Sequence, residues 1–141
     1  MARRSEHIDH LKGIELFTNL TKRDLTLVAA ASREEVVEAG TTIVHQGDAG
    51  REAYVILDGT CTVRRGTKRV TTLGAGSVFG EMSLLDLGPR TAYVTAESDC
   101  RLLVIPAKEF GKLLDDVPQL ARKLLAALAT RVRDLDRTAF G

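Results

Sequence analysis

Hydrophobic and polar positions change their period twice along this chain. Up to residue 33 the spacing is helical. Thr21 precedes Lys22, Arg23 and Asp24, which reads as an N-cap with an acid at the capping-box position. Leu25, Leu27, Val28, Ala29 and Ala31 then supply an apolar face, and Leu16, Phe17 and Leu20 are placed to pack against it. From residue 34 the runs become short and β-rich: 35–38, 41–45, 53–57, 60–63, 69–73, 91–95 and 101–105. Glycines punctuate them, and Asp58-Gly59 and Gly66-Thr67 are expected to form hairpin turns.

After Pro106 the helical period returns. Residues 107–114 predict one short helix, and Asp116-Val117-Pro118 opens a longer one, since proline is tolerated in a first turn. Along it Leu120, Leu124, Leu128 and Val132 recur every four residues, with Val117, Ala121, Leu125 and Leu135 widening the stripe. Core burial is the expected fate of that stripe, with a homodimer through the C-terminal helix as the alternative. The fold class is therefore α+β: an antiparallel β-roll of the jelly-roll kind, with about eight strands, flanked by N-terminal helices and two C-terminal helices. One domain is expected over 1–141, divided into a helical part (1–33), the roll (34–105) and the closing helices (106–141).

Composition narrows the partners. The formal net charge of +1 lacks the concentrated basic face of a nucleic-acid binder, so no direct nucleic-acid contact is expected. No apolar run is long enough for a membrane span, and residues 1–10 lack a secretory core, so a cytoplasmic protein is expected. Cys61 and Cys100 sit in apolar or β-branched runs and read as buried thiols. His7, His10 and His45 are too few and too scattered for a catalytic metal, and Ser83 has no histidine or lysine near it in sequence. No catalytic residue, metal ligand or cofactor is expected.

The chemistry concentrates in residues 74–90, GAGSVFGEMSLLDLGPR. Its glycines are spaced G-x-G-x-x-x-G, which fits neither the dinucleotide fingerprint nor the phosphate loop ending in G-K-[ST]. Gly80 permits close backbone approach to a ligand, and Met82 to Leu85 can form a turn whose N–H groups face an anion. Arg90 offers a planar fork for phosphate, while Glu81 suits a sugar hydroxyl. Together these describe a ribose phosphate; a Glu81–Arg90 ion pair bracing a loop is the competing reading.

Phe79-Gly-Glu-Met-Ser-Leu-Leu85, followed after four residues by Arg90-Thr-Ala92, resembles the phosphate-binding cassette (79–92) of cyclic nucleotide-binding domains. The resemblance extends to Gln46-Gly-Asp48, to Ala53–Gly59 and to the closing helices, which resemble the family's hinge and lid. It implies that Glu81 accepts from the ribose 2′-hydroxyl and that Gly80, Met82 and Ser83 contribute backbone contacts. It further implies that Arg90 pairs with the cyclic phosphate beside Thr91 and Ala92. Cys61, Val70 and Thr71 match base-pocket positions, and Arg131, Arg133, Leu135 or Asp136 would reach the base from the lid. Thr91 suits cGMP in some relatives, but the family's commoner use favours cAMP.

The implied function is a sensor that converts cyclic-nucleotide binding into movement of its C-terminal helices to control a protein partner. The alternatives are an interaction scaffold that binds no nucleotide, or a regulatory piece of a larger channel, transporter or enzyme.

Overall fold

The structure, a computed structural model, describes residues 11–81, 84 and 88–140, without the side chains of 15, 131 and 134–140. A 3-10 turn at Glu15–Phe17 leads into helix α1 (Lys22–Ala31). Eight strands follow: β1 (Arg33–Val37), β2 (Thr42–Val44), β3 (Glu52–Asp58), β4 (Cys61–Arg65), β5 (Lys68–Leu73), β6 (Val78–Phe79), β7 (Tyr93–Ala96) and β8 (Cys100–Pro106). Helices α2 (Ala107–Asp116) and α3 (Pro118–Phe140) close the chain. The strands form two four-stranded antiparallel sheets, ordered β1-β8-β3-β6 and β2-β7-β4-β5. This is the expected jelly-roll with flanking helices.

The central strands β3 and β8 of the first sheet are buried on both faces and are accordingly nearly continuous apolar runs, whereas the edge strand β1 is partly exposed. Ala53, Val55, Leu103 and Ile105 face the helices, joining Leu25, Val28, Phe110, Leu113, Leu120 and Leu124 in one cluster. Tyr54, Ile56, Leu102 and Val104 face the inside of the roll with Cys61, Phe79 and Val94. The second sheet packs only one face. Its other face carries a row of threonines, Thr42, Thr95, Thr62 and Thr72, in direct cross-strand register over all four strands.

Thr21 caps α1 as its position predicts, its Oγ1 accepting from the Asp24 N–H at 3.1 Å. Pro118 opens α3 directly after the kink at Val117. Helices from both ends of the chain thus share one apolar layer against the first sheet, each fully buried Leu or Phe contributing about 1.5–3 kcal/mol.

Two expectations need correction. Asp58-Gly59 is not a hairpin turn: β3 and β4 belong to different sheets, and the turn is the corner between them. Gly59 has φ +100, and a Cβ there would lie 2.5 Å from Asp99 O and 2.7 Å from Cys100 Sγ. The α3 stripe is also only partly buried: Leu120 and Leu124 are enclosed and Leu128 still packs on the core, but Leu125, off that line on the helix, is 67% and Val132 61% exposed. Leu135 lies outside the described side chains. The Gly66-Thr67 turn does form a hairpin, with Arg65 opposite Lys68.

Candidate functional site

Strand β6 ends at Phe79, and the chain turns at Gly80 with φ +82. A Cβ at this position would lie 2.7 Å from Arg90 Nη1, 3.1 Å from Glu52 O and 3.3 Å from Tyr54 Cδ2. Gly80 therefore serves two ends: it adopts a backbone conformation that L side chains resist, and it leaves room for a guanidinium. Arg90 occupies that room and is 7% exposed. Its Nη1 donates to Gly80 O and its Nη2 to Glu52 O, both at 2.7 Å.

The backbone at Arg90 is fixed as firmly as its side chain. Arg90 N donates to Asp48 O at 2.8 Å, and Gly47 N donates to Arg90 O at 2.9 Å. A bridge between Ala49 and Pro89 extends this pairing. Tyr54 forms the wall beside the cation, its ring 5.9 Å from the guanidinium carbon and stacked on Phe79 at 4.9 Å. The Tyr54 hydroxyl donates to Glu52 Oε1 at 3.3 Å, while Glu52 Oε2 accepts from Arg33 Nη2. Burial, and next the Glu52 charge, push the Tyr54 phenol above its ordinary range, so it stays a neutral donor.

Among the described residues Arg90 forms no ion pair, with Glu81 or any other carboxylate. Its donors meet neutral carbonyls, which satisfy hydrogen bonds without cancelling the charge. A buried, immobilised cation of this kind can receive an anion with little reorganisation. Glu81 is also enclosed, at 2% exposure, directly after Gly80. Thr91 is exposed and Ala92 buried at the start of the segment leading into β7. The structure thus brings Gly80, Glu81, Arg90, Thr91 and Ala92 to one edge of the roll. Met82 and Ser83 lie outside the described residues. Leu84 packs against the helical cluster that holds Phe110 and Leu113, and Leu85 is outside the description.

The base-pocket expectations divide. Cys61 has no exposed surface, and its Sγ lies 3.8 Å from Cys100 Sγ inside the roll, where no ligand meets it without displacing its neighbours. Burial, and then Cys100, push its thiol up to about 12. Thr71 stands directly opposite Val63, and both keep some exposure. Val70 falls at the irregularity between the Val63 and Arg64 pairs and is 48% exposed. Val63, which packs on the inside of the roll, is the position that sequence reasoning missed. Counting outward from the Gly66-Thr67 turn pairs Val63 with Val70; only the bulge moves its partner to Thr71. Of the lid candidates, Arg133 is exposed on α3, while the side chains of Arg131, Leu135 and Asp136 lie outside the description.

A cavity of about 370 Å³ lies between β6 and α3, lined by Val78, Glu81, Leu124, Ala127 and Leu128 among others. Its lining includes Glu81 of the cassette and not Arg90. No group of three or more metal-ligating side chains occurs among the described residues, and none of their helices is long and apolar enough to cross a membrane.

Two four-stranded antiparallel sheets with helices from both ends of the chain on one face define an α+β β-roll domain. The chain belongs to the cyclic nucleotide-binding domain family, whose model matches residues 34–117. It is 34% identical over 131 residues to the Cyclic AMP receptor protein of Thermus thermophilus, covering 89% of this chain and 61% of that protein. It is also 34% identical over 122 residues to a mouse potassium/sodium hyperpolarization-activated cyclic nucleotide-gated channel, covering 86% of this chain and 16% of the channel. Among solved structures, the regulatory domain of Toxoplasma gondii PKA with cAMP superposes with a TM-score of 0.82 at 27% identity, over 92% of this chain and 51% of that one. The chain thus spans 61% or less of the length of these relatives.

Proposed function

We propose that this domain binds a cyclic nucleotide, cAMP in preference to cGMP, and passes the event to a protein partner through its C-terminal helices. It acts by binding alone: it performs no catalytic step, needs no cofactor and works in the cytoplasm. The carrying observation is Arg90, a buried guanidinium held by two carbonyls and faced by no carboxylate among the described residues. The cyclic phosphate supplies the missing charge, and Gly80 lets it approach. Glu81 accepts from the ribose hydroxyl. Thr91 adds a hydroxyl at the exposed rim, and Val63 with Thr71 forms one wall for the base.

Transmission follows from packing. Leu84 belongs to the cassette and touches the same apolar layer as α2 and α3. The cavity between Glu81 and α3 gives these parts room to change their spacing. A ligand that draws Glu81 and Arg90 toward itself shifts the helices by favouring one arrangement over another. The exposed Leu125 and Val132 keep a homodimer through α3 as the proposed assembly, which sedimentation velocity would reveal as a dimer.

The test is calorimetric titration of cAMP and cGMP into wild type and Arg90→Ala, with folding checked by circular dichroism. Wild type is expected to bind cAMP more tightly. The variant is expected to fold and to lose about 2–5 kcal/mol of affinity, the cost of deleting one partner of a desolvated charge pair. Equal binding by a folded Arg90→Ala overturns the site. No binding by wild type leaves a scaffold, and hydrolysed nucleotide in the calorimeter cell would make the domain an enzyme.

A further inference from the structure

The tip of the β4–β5 hairpin presents an electrostatic arrangement that the nucleotide site does not use. Arg64, Arg65, Lys68 and Arg69 are all exposed there. Their register opposes like charges directly, Arg64 against Arg69 and Arg65 against Lys68. Such pairs weaken a strand pair, whereas opposite charges would strengthen it. Among the described residues one carboxylate answers them: Glu97 Oε1 lies 3.6 Å from Arg69 Nη2. Four cations less that one acid leave +3 at the tip of a chain whose formal net charge is +1, so the remainder carries −2. The charge is gathered at this end of the fold, not spread over it.

The tip is also braced. Gly66 turns the chain at φ +59, and its N–H donates to Gln46 Oε1 at 2.8 Å, tying the turn to the β2–β3 loop. Side chains carried on a fixed ribbon lose less freedom when a partner arrives. Apolar surface stands beside the cations: Val70 is 48% exposed at the bulge, and Tyr93, 37% exposed, lies directly across from Arg64.

We infer that this hairpin tip is a docking surface for an acidic protein segment in which carboxylates alternate with apolar side chains. Charge complementarity selects the acid. Arg and Tyr with an exposed Val match the composition of protein–protein contacts, in which Arg and Tyr anchor the buried centre. A nucleic acid would draw on the cations and leave Val70 without a use. The surface stands independently of the nucleotide reading.

The experiment measures fluorescence anisotropy of a labelled peptide that alternates glutamate with leucine and tyrosine. Wild type is compared with the double variant Arg64→Glu, Lys68→Glu, which converts both like-charge pairs into opposite-charge pairs. Wild type is expected to bind the peptide, more weakly as salt rises. The double variant is expected to lose about tenfold or more in affinity, because reversed charges repel the peptide, while its melting temperature holds or rises. Tyr93→Ser is expected to weaken binding severalfold without changing its salt dependence. The inference is overturned if wild type ignores the peptide or if charge reversal leaves the affinity unchanged. It is equally overturned if duplex DNA or phosphatidylserine vesicles bind wild type more tightly than the peptide does.

Discussion

The two sheets of the roll are alike in strand number and unlike in what covers them. The β1-β8-β3-β6 sheet lies between the helical layer and the inside of the roll, with Ala53, Val55, Leu103 and Ile105 on one side and Ile56, Leu102 and Val104 on the other. The β2-β7-β4-β5 sheet buries one face; on the other, Thr62 is enclosed at the centre, while Thr72, Arg64 and Arg69 are exposed. Arg90 draws on the first kind of sheet, through Glu52 O, for a mount that cannot shift. The proposed base wall at Val63 and Thr71 is on the second, where a bulge and solvent leave freedom to adjust. In the proposed function, a fixed phosphate anchor and a less enclosed base wall let one phosphate chemistry serve different bases.

The contrast breaks most visibly in stability. Leu103→Ala, in the doubly covered sheet, is expected to cost about 2–5 kcal/mol in urea unfolding, from lost burial plus the cavity left behind. Thr72→Ala, on the outward face of the other sheet, is expected to stay within about 0.5 kcal/mol. Comparable losses at the two positions would remove the asymmetry.

Gly80 and Gly76 sharpen the contrast at the cassette. Both have positive φ, +82 and +90, so alanine at either incurs strain of about 1–2 kcal/mol. A Cβ at Gly76 meets nothing within 4 Å, whereas one at Gly80 strikes Arg90 Nη1. Gly80→Ala is therefore expected to lose both stability and nucleotide affinity, and Gly76→Ala stability alone. Calorimetry on both variants decides whether the glycine acts through the arginine. A smaller effect belongs to Cys61, enclosed where the two sheets meet. Its thiol is pushed up to about 12 from 9.0, so folding favours the neutral form. That contribution is complete below pH 9 and disappears as the pH rises through the folded value. Cys61→Ala is expected to flatten the alkaline fall in stability, measured by thermal melts from pH 8 upward.

Much of this was legible in the sequence. The Thr21 cap, the proline that opens α3 and the change from helical to strand period are local signals, and the structure carries all three. The register of Gly80, Glu81, Arg90 and Ala92 identified the cassette as a family resemblance, because a binding geometry constrains several nearby residues at once. The misses depend on distant partners. Asp58-Gly59 has the composition of a hairpin turn, but what decides it is that Asp99 and Cys100 pack against Gly59 from another strand. Leu125 and Val132 belong to the apolar stripe of α3 by spacing, but which of its residues meet the roll is set by the strands: Leu124 and Leu128 do, while Leu125 and Val132 stay exposed. The carbonyl of Glu52, one of the two that hold Arg90, has no side-chain signature at all.

The same limit sets the finest test of the adjustable wall. Sequence reading puts Val70 beside Thr71 in the base pocket, but neighbours in one strand face opposite ways unless a bulge intervenes. The bulge here pairs Thr71 with Val63 and leaves Val70 to solvent. If the wall lies where this register puts it, Val63→Ala removes apolar contact with the base at about 0.8 kcal/mol per methylene equivalent, a severalfold to tenfold loss of affinity. Val70→Ala is expected to leave nucleotide affinity unchanged. Titrating both variants with cAMP and cGMP reads the result, and a larger effect at Val70 than at Val63 would place the base against the hairpin's other face.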